Sequence, residues 1–572
     1  MDAKGYTQDG TVDIRGRPVL AFKTGKWRAA ATLVGYEACE RMAYYGIASN
    51  LVVYLTTELH EGTVSSVTNV NNWAGSVWMT PILGAYIADT YLGRFWTFSA
   101  ASIVYVMGMS LLTMAVSLKS FKPSCENGIC NKATPSQIAF FYSALYTIAI
   151  GTGGTKPNIS TFGADQFDDF NPEERQSKTS FFNWWLFSAY FGTLFANSGL
   201  VYIQDNLGWG LGYGIPTISL VIALIIFYIG TPRYRHKPKT SKTAERYFFK
   251  VIASAFSNRR VKVRSELSEL HELSRQYYIS NGKRQVPHTN HFRFLDKAAL
   301  KDGRSVTPWT VTQVEKTKLI FGMIIIFIVI LIPSTFWSDV STIFVKQGSR
   351  MDRRLTSRFE LPTASLSSVS TFCMIICVPF YDRLFVPYIR SKTGHRRGIT
   401  LLQRIGIGCV IQIVAIAIAF IVELRRMHMV NVLNLRGPSD IVPMSVLWQL
   451  PQYALLGVAD VFMDIGMLEF FYDQAPVDMQ SIGTTFYTTA NGAGFFLNSL
   501  LVTLVDRVSR KLNGGKSWIG NNLNESHLDY FYCFLMTIAT INLGAFVWAS
   551  KNYVYKREII DVEDKGMDAE DI

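Results

Sequence analysis

Twelve stretches of this chain are apolar for long enough to cross a bilayer, a repetition that restricts its fold more than any other feature. They run Trp27–Tyr54, Asn72–Leu92, Trp96–Val116, Ile138–Ile159, Phe181–Ile203, Tyr213–Gly230, Leu319–Val345, Ala364–Tyr388, Thr400–Glu423, Val442–Phe471, Thr484–Val505 and Tyr530–Tyr553. A spanning helix needs about 20 apolar residues, and inside lipid the backbone must satisfy its own hydrogen bonds, as a helix does. With 572 residues, 49% hydrophobic and 17% charged, the chain is too apolar for an ordinary soluble domain. The expected architecture is an all-α membrane protein of twelve transmembrane helices in two six-helix bundles. Its parts are a cytoplasmic N-terminal segment (1–26), an N-terminal bundle (27–231), a basic cytoplasmic linker (232–316), a C-terminal bundle (317–555) and an acidic cytoplasmic tail (556–572).

The net charge of +13 suggests nucleic acid at first sight, but the excess sits between spans. From Pro232 to Arg304 there are 18 Lys and Arg against 6 Asp and Glu, so this segment alone supplies 18 − 6 = +12. It contains no zinc spacing and no aromatic RNA-binding run, and no nucleic-acid partner is expected. An even number of spans places both termini on one side. Arg94, Arg175, Lys178, Arg390, Lys392, Arg396 and Arg397 fall in loops on that side, which the positive-inside rule makes cytoplasmic. Arg425 and Arg426 on the outer side are an exception to it.

Charges inside a span cost about 2.5–3.5 kcal/mol each on insertion scales and are kept where they face a polar cavity or a partner. The first span holds three of them: in Tyr36-Glu37-Ala38-Cys39-Glu40-Arg41, Glu37, Glu40 and Arg41 share one helix face. Span four carries Lys156 after a glycine-rich run, an ammonium that calls for an anionic partner or a substrate. Span seven has Asp339, and span ten has Asp460, Asp464 and Glu469, which cannot all line one face. The turn from Gly84 to Arg94 closes span two. Asp89 and Arg94 there can anchor neighbouring helix ends as a conformational latch.

Cys125 and Cys130 lie in the polar loop 119–137 and are candidates for a small outer disulfide. The remaining cysteines show no redox or zinc motif, and no metal site is expected. Asn524-Glu525-Ser526 is a candidate glycosylation site on the outer side.

Several motifs together carry a family resemblance. The Glu37-x-x-Glu40-Arg41 signature, the Gly84–Arg94 turn, Phe162-Gly163-Ala164-Asp165-Gln166-Phe167, Phe182-Asn183-Trp184-Trp185 and Glu469-Phe470-Phe471-Tyr472-Asp473-Gln474-Ala475-Pro476 resemble the plant nitrate/peptide transporter family. That family belongs to the proton-coupled oligopeptide transporters of the major facilitator superfamily. The resemblance implies two six-helix bundles about a cavity that opens alternately to each side. It further implies that Glu37, Glu40 and Arg41 form the proton-coupling cluster and that Lys156 pairs with Glu469 across the bundles. The proton is then the coupling ion, and no other cofactor is expected.

Where the best-known nitrate carrier of the family has a nitrate-binding histidine, this chain has Trp337. Tyr44, Tyr45, Trp78, Trp337 and Asp339 are the candidate cavity residues, and the aromatic complement leans toward a solute larger than nitrate. Thr97 matches a position phosphorylated in some relatives, which would make a kinase a partner, although a threonine at a helix start is the blander reading. The expected function is proton-coupled symport of a small solute: a di- or tripeptide, nitrate, or a hormone-like or secondary-metabolite carboxylate. The alternative is a non-transporting membrane sensor on the same scaffold. No catalytic residues are expected, because no HExxH, GxSxG or phosphate-loop motif is present. The partners are the solute, protons and the lipid bilayer. The plasma membrane is the expected location, with the vacuolar membrane as the alternative.

Overall fold

The computed structural model describes residues 6–556 apart from 8, 124, 127–128, 131, 169, 238–243, 261–269, 281–284, 302–308, 358, 395–397, 438–439 and 477–479. For 125–126, 129–130, 179, 244–247, 279–280 and 480–482 it describes the backbone alone. All twelve apolar runs are helical over most of their length: α1 Lys26–Ala48, α2 Thr63–Ile87, α3 Arg94–Ser117, α4 Pro135–Ala164, α5 Pro172–Phe195, α6 Trp209–Gly230, α7 Val311–Asp339, α8 Ser367–Phe380, α9 Leu401–Leu433, α10 Leu450–Gln474, α11 Gln480–Leu512 and α12 Leu528–Lys551. Among the described residues, nine helices are long and apolar enough to cross a membrane by composition alone. The other three of the twelve are α1, α2 and α10. Their polar and charged positions, including Glu37, Glu40, Asp460 and Asp464, lower their hydropathy.

Several ends differ from the sequence reading, each for a local reason. The first span breaks after Ala48 and resumes as Leu51–Thr57, with Ser49 and Asn50 turned to polar partners on the fifth span. Helix α5 starts nine residues before Phe181, because Asn171 caps it and Pro172 fits its first turn. Helix α10 starts at Leu450, since Val442–Ser445 instead forms a strand beside Met351–Asp352. Two further short strand pairs, at 125–130 and 354–360, qualify the all-α description. In the first, Cys125 stands opposite Cys130 in backbone register, while the side chains that would form the expected disulfide lie outside the described residues.

Helices α1–α6 pack into one bundle and α7–α12 into another. Close approach of backbones sets their spacing. A Cβ on Gly84 of α2 would lie 2.0 Å from the Gly153 carbonyl oxygen of α4, so only glycine lets these helices meet there. The bundles touch through α2 against α11 and α5 against α8.

Their outer ends are joined. The Thr63 amide donates to Asn521 Oδ1 at 2.8 Å, Lys346 Nζ donates to Thr56 Oγ1 at 3.1 Å, and the Tyr202 and Phe359 rings stack 5.8 Å apart. At the end that bears the N-terminal segment, Phe182, Trp184 and Phe187 of α5 are exposed, as are Phe380, Leu384 and Tyr388 on α8 and its continuation. The cleft between the bundles is thus closed at its outer end by direct contacts.

At the inner end, residues 6–25 strap the first bundle. Val12 pairs with His236, and the fully buried Arg235 donates to Glu174 Oε2 at 2.6 Å and to the carbonyls of Ala21 and Thr24. The linker docks on α7, which begins at Val311, before the expected boundary. Lys318 Nζ bridges Asp296 Oδ1 and Glu315 Oε1, each at 2.7 Å. His288, Asp296 and Glu315 converge as metal ligands could, but the Lys318 ammonium already supplies the cation between the carboxylates.

Candidate functional site

Helix α1 presents Glu37, Glu40 and Arg41 to the interior of the first bundle, both glutamates being only 1% exposed. Arg41 Nε donates to Glu37 Oε1 at 2.6 Å and lies 3.6 Å from Glu40 Oε2. The two carboxylates therefore differ: Glu37 is clamped, whereas neither oxygen of Glu40 has a hydrogen-bond partner. A buried carboxylate left this loosely held is poised for a proton or a new donor.

Lys156 sits on α4 opposite this cluster. Its ammonium has no hydrogen-bond partner and rests 4.2 Å from the Tyr44 ring centre and 4.6 Å from that of Trp78. Such cation–π contacts are worth about 2 kcal/mol when desolvated, so the aromatic pair holds the charge without neutralising it. Trp78 in turn meets Trp337 at 5.4 Å and Tyr487 at 6.3 Å in the other bundle. Tyr487 donates to Asp464 Oδ2 at 2.8 Å, so the link between bundles runs through aromatic rings to a carboxylate on α10.

The expected Lys156–Glu469 pair is not made in this conformation. Glu469 accepts from Arg404 Nη1 at 3.0 Å, and Arg404 also donates to the Val461 carbonyl and covers the Tyr381 ring. The expectation overlooked Arg404, although an arginine one turn into a predicted span is the same signal that singled out Arg41.

A cavity of about 130 Å³ lies between the bundles, lined by Tyr44, Tyr45, Tyr190, Asn197, Trp337 and Asp460, among others. The four acidic residues expected near the cavity, Asp339, Asp460, Asp464 and Glu469, thus separate. Asp460 lines the cavity, Asp464 bonds Tyr487 and Asn491 of α11, and Glu469 is held by Arg404. Asp339 does not line the cavity. It is buried against α11, where Asn498 Nδ2 donates to its Oδ1 at 3.1 Å.

The remaining expected sites fall as follows. Arg94 pairs with Asp165 at 2.5 Å, tying α3 to the end of α4, while Asp89 occupies the π-helical turn Ala88–Leu92. Thr97 is 5% exposed and its backbone and methyl face Gly154 of α4, so it is a packing residue that a kinase cannot reach in this state. Asn524 is 2% exposed. Its amide donates to the Asp440 carbonyl and its oxygen accepts from Arg426, which removes it as a glycan acceptor in the folded chain. Arg426 itself is fully buried on Glu423, at 2.6 and 2.9 Å, which explains how an arginine can stand at the outer end against the charge rule.

Comparison with known proteins shows the family and the fold. A family model described as PTR2, POT family, matches residues 95–519. The chain is 61% identical to the Arabidopsis thaliana protein NRT1/PTR family 5.1 over 97% of this chain and 95% of that protein. It is 46% identical to NRT1/PTR family 5.3 of the same plant over 97% and 95%. In fold it is similar to an auto-inhibited POT family peptide transporter, with a TM-score of 0.71 and 20% identity over 94% of this chain and 98% of that one. PepTSo, a POT family transporter, gives 0.70 and 21% over 92% and 99%.

Proposed function

The chain belongs to the POT family of membrane transporters, and from that premise we propose that it is a proton-coupled symporter importing a small solute through the cavity between its bundles. One observation carries the reading. In a cleft closed at its outer end, a clamped Glu37–Arg41 pair and a Glu40 that Arg41 approaches to 3.6 Å without a hydrogen bond stand beside a Lys156 ammonium caged by aromatic rings. Glu37 and Glu40 contribute −2 and Arg41 and Lys156 contribute +2, so a proton arriving on Glu40 leaves one positive charge in excess. That excess is available to the anionic group of a solute. The energetic link between proton and solute is this shared charge balance, which favours their moving together.

The opposite wall suggests the solute's other end. Asp460 faces the cavity with Trp337 beside it, and among the described residues no cation lies within ion-pair distance. A solute with a carboxylate for Lys156 and an ammonium for Asp460, such as a di- or tripeptide, suits both walls. A bare anion such as nitrate engages one of them. Related POT structures have been determined with 5-aminolevulinic acid and with a thioalcohol-conjugated peptide, which supports this class.

Uptake by oocytes in acidic and neutral medium, comparing nitrate, a dipeptide mixture and aromatic carboxylates, tests the proposal. Acid-stimulated accumulation of the dipeptides, lost in Glu40→Gln and Lys156→Ala, is expected, with the protein at the plasma membrane. Equal accumulation at both acidities by the wild type would overturn proton coupling.

A further inference from the structure

Two cations near the outer seam have no ion-pair partner among the described residues. The seventh span resumes as a short helix, Ile343–Gly348, which carries Lys346, and Arg350 follows in the turn four residues on. Both are partly buried. The hydrogen bond of Lys346 is to the Thr56 hydroxyl of the other bundle, and among the described residues no carboxylate lies within ion-pair distance of either side chain. The Thr56 hydroxyl already donates to the Val52 carbonyl, so it offers the ammonium a lone pair and nothing more.

The electrostatics of this corner are unfavourable. Like charges one turn apart repel, and the partly buried ammonium has a single neutral protein acceptor and no carboxylate to balance it. Arg350 is further disfavoured as a cation, its pKa lying below the ordinary arginine value, first through burial and then through the nearby Arg426 guanidinium, which Asp440 only partly offsets. Arg353, the next cation outward, is paired with Glu360 and so differs from them.

Geometry gives the pair a direction. Span seven runs from the inner end to the outer and breaks between Asp339 and Ile343, so Arg350 lies beyond Lys346 and Trp337 of the cavity lies nine residues deeper in the chain. The lysine holds Thr56 only while the outer ends touch. When the bundles part outside, that bond is lost and the Lys346 ammonium, with Arg350 four residues on, is left without its acceptor.

We propose that Lys346 and Arg350 form an outer capture site for the anionic group of the arriving solute, a carboxylate or a small oxyanion, filled when the outer ends are apart and emptied inward as the seam closes on Thr56. The inference rests on the alternating-access reading above, from which it takes the outward-open state. A site of two cations does not discriminate among small monoanions, so it is tested as a class.

Purified full-length protein in proteoliposomes is exposed to a membrane-impermeant lysine-acylating ester, and acylation of Lys346 is followed by mass spectrometry. Benzoate, nitrate and dialanine are titrated, with benzyl alcohol as the neutral control. The expected result is that saturating anion slows acylation by about tenfold or more, as mass action requires of a filled site. Benzyl alcohol leaves the rate unchanged. Arg350→Gln raises the midpoint of protection by about tenfold, and Arg350→Lys restores it. Acylation at one rate with and without all three anions, or equal protection by benzyl alcohol, would overturn the capture site. Complete absence of acylation would overturn it too, because Lys346 then never faces outside. Proton-driven uptake in the same vesicles separates the two claims: uptake without anion protection removes the capture site alone, and loss of both removes the symport reading with it.

Discussion

Individual side chains in this transporter are distinguished less by their type than by what already holds them. Glu37 and Glu40 are equally buried, yet one accepts from Arg41 at 2.6 Å and the other has no hydrogen bond. Glu37→Gln is therefore expected to destabilise the protein as well as to impair transport, since it leaves Arg41 in the interior without its clamp. Glu40→Gln should leave the unfolding midpoint nearly unchanged. A thermal unfolding series on the two purified variants checks this difference. At the outer end, Arg426→Gln breaks a fully buried ion pair and should cost about 3–5 kcal/mol, seen as a marked fall in Tm or in yield of folded protein. Because the Asn524 amide is engaged by Asp440 and Arg426, treatment with an N-glycan-removing enzyme should leave the protein's gel mobility unchanged. A downward shift in mobility that Asn524→Gln abolishes would contradict its burial.

Elements meet here through close backbone contacts and strapped ends. Helix α2 approaches α4 at Gly84, where an added Cβ falls 2.0 Å from a carbonyl oxygen. Gly84→Ala should cost about 1–3 kcal/mol through overpacking, measurable as a lowered unfolding temperature in detergent. The N-terminal strap is held in part by His236, whose backbone pairs with Val12 while its ring lies among Phe95 and Phe162. Burial lowers the pKa of that imidazole below its ordinary 6.5, with Asp13 pulling weakly the other way. A depressed histidine pKa means the docked state favours the neutral ring. Strap stability is then complete above about pH 6.5, where the undocked ring is also neutral, and is lost as the pH falls below it. Limited proteolysis of residues 6–25 should accelerate in mildly acidic buffer, and His236→Phe should remove that acceleration.

At the scale of the whole molecule, the twelve runs and their division about the basic linker are visible in the sequence because lipid imposes length and hydropathy on every span. The charged face of α1 is visible for the same reason: charge inside a span stands out. What the chain does not display is pairing across distance. Arg404 and Glu469 lie 65 positions apart on neighbouring helices, and no local pattern marks either as the other's partner. Asp339 illustrates the complementary failure, since periodicity can place it on a face but cannot say that Asn498 of α11 covers that face. The Asn524 motif misleads because three residues define it, while its burial depends on Arg426 nearly a hundred positions away. In the symport we propose, the closed outer seam, the cavity and the loosely held Glu40 carboxylate act together to tie solute movement to a proton. That coupling is tested most directly by comparing, in proteoliposomes containing Glu40→Gln, the uphill accumulation of a carried dipeptide driven by an inward proton gradient with its exchange at equal pH on both sides. The account predicts that exchange continues while gradient-driven accumulation is abolished. Gradient-driven accumulation at the wild-type level in that variant would contradict it.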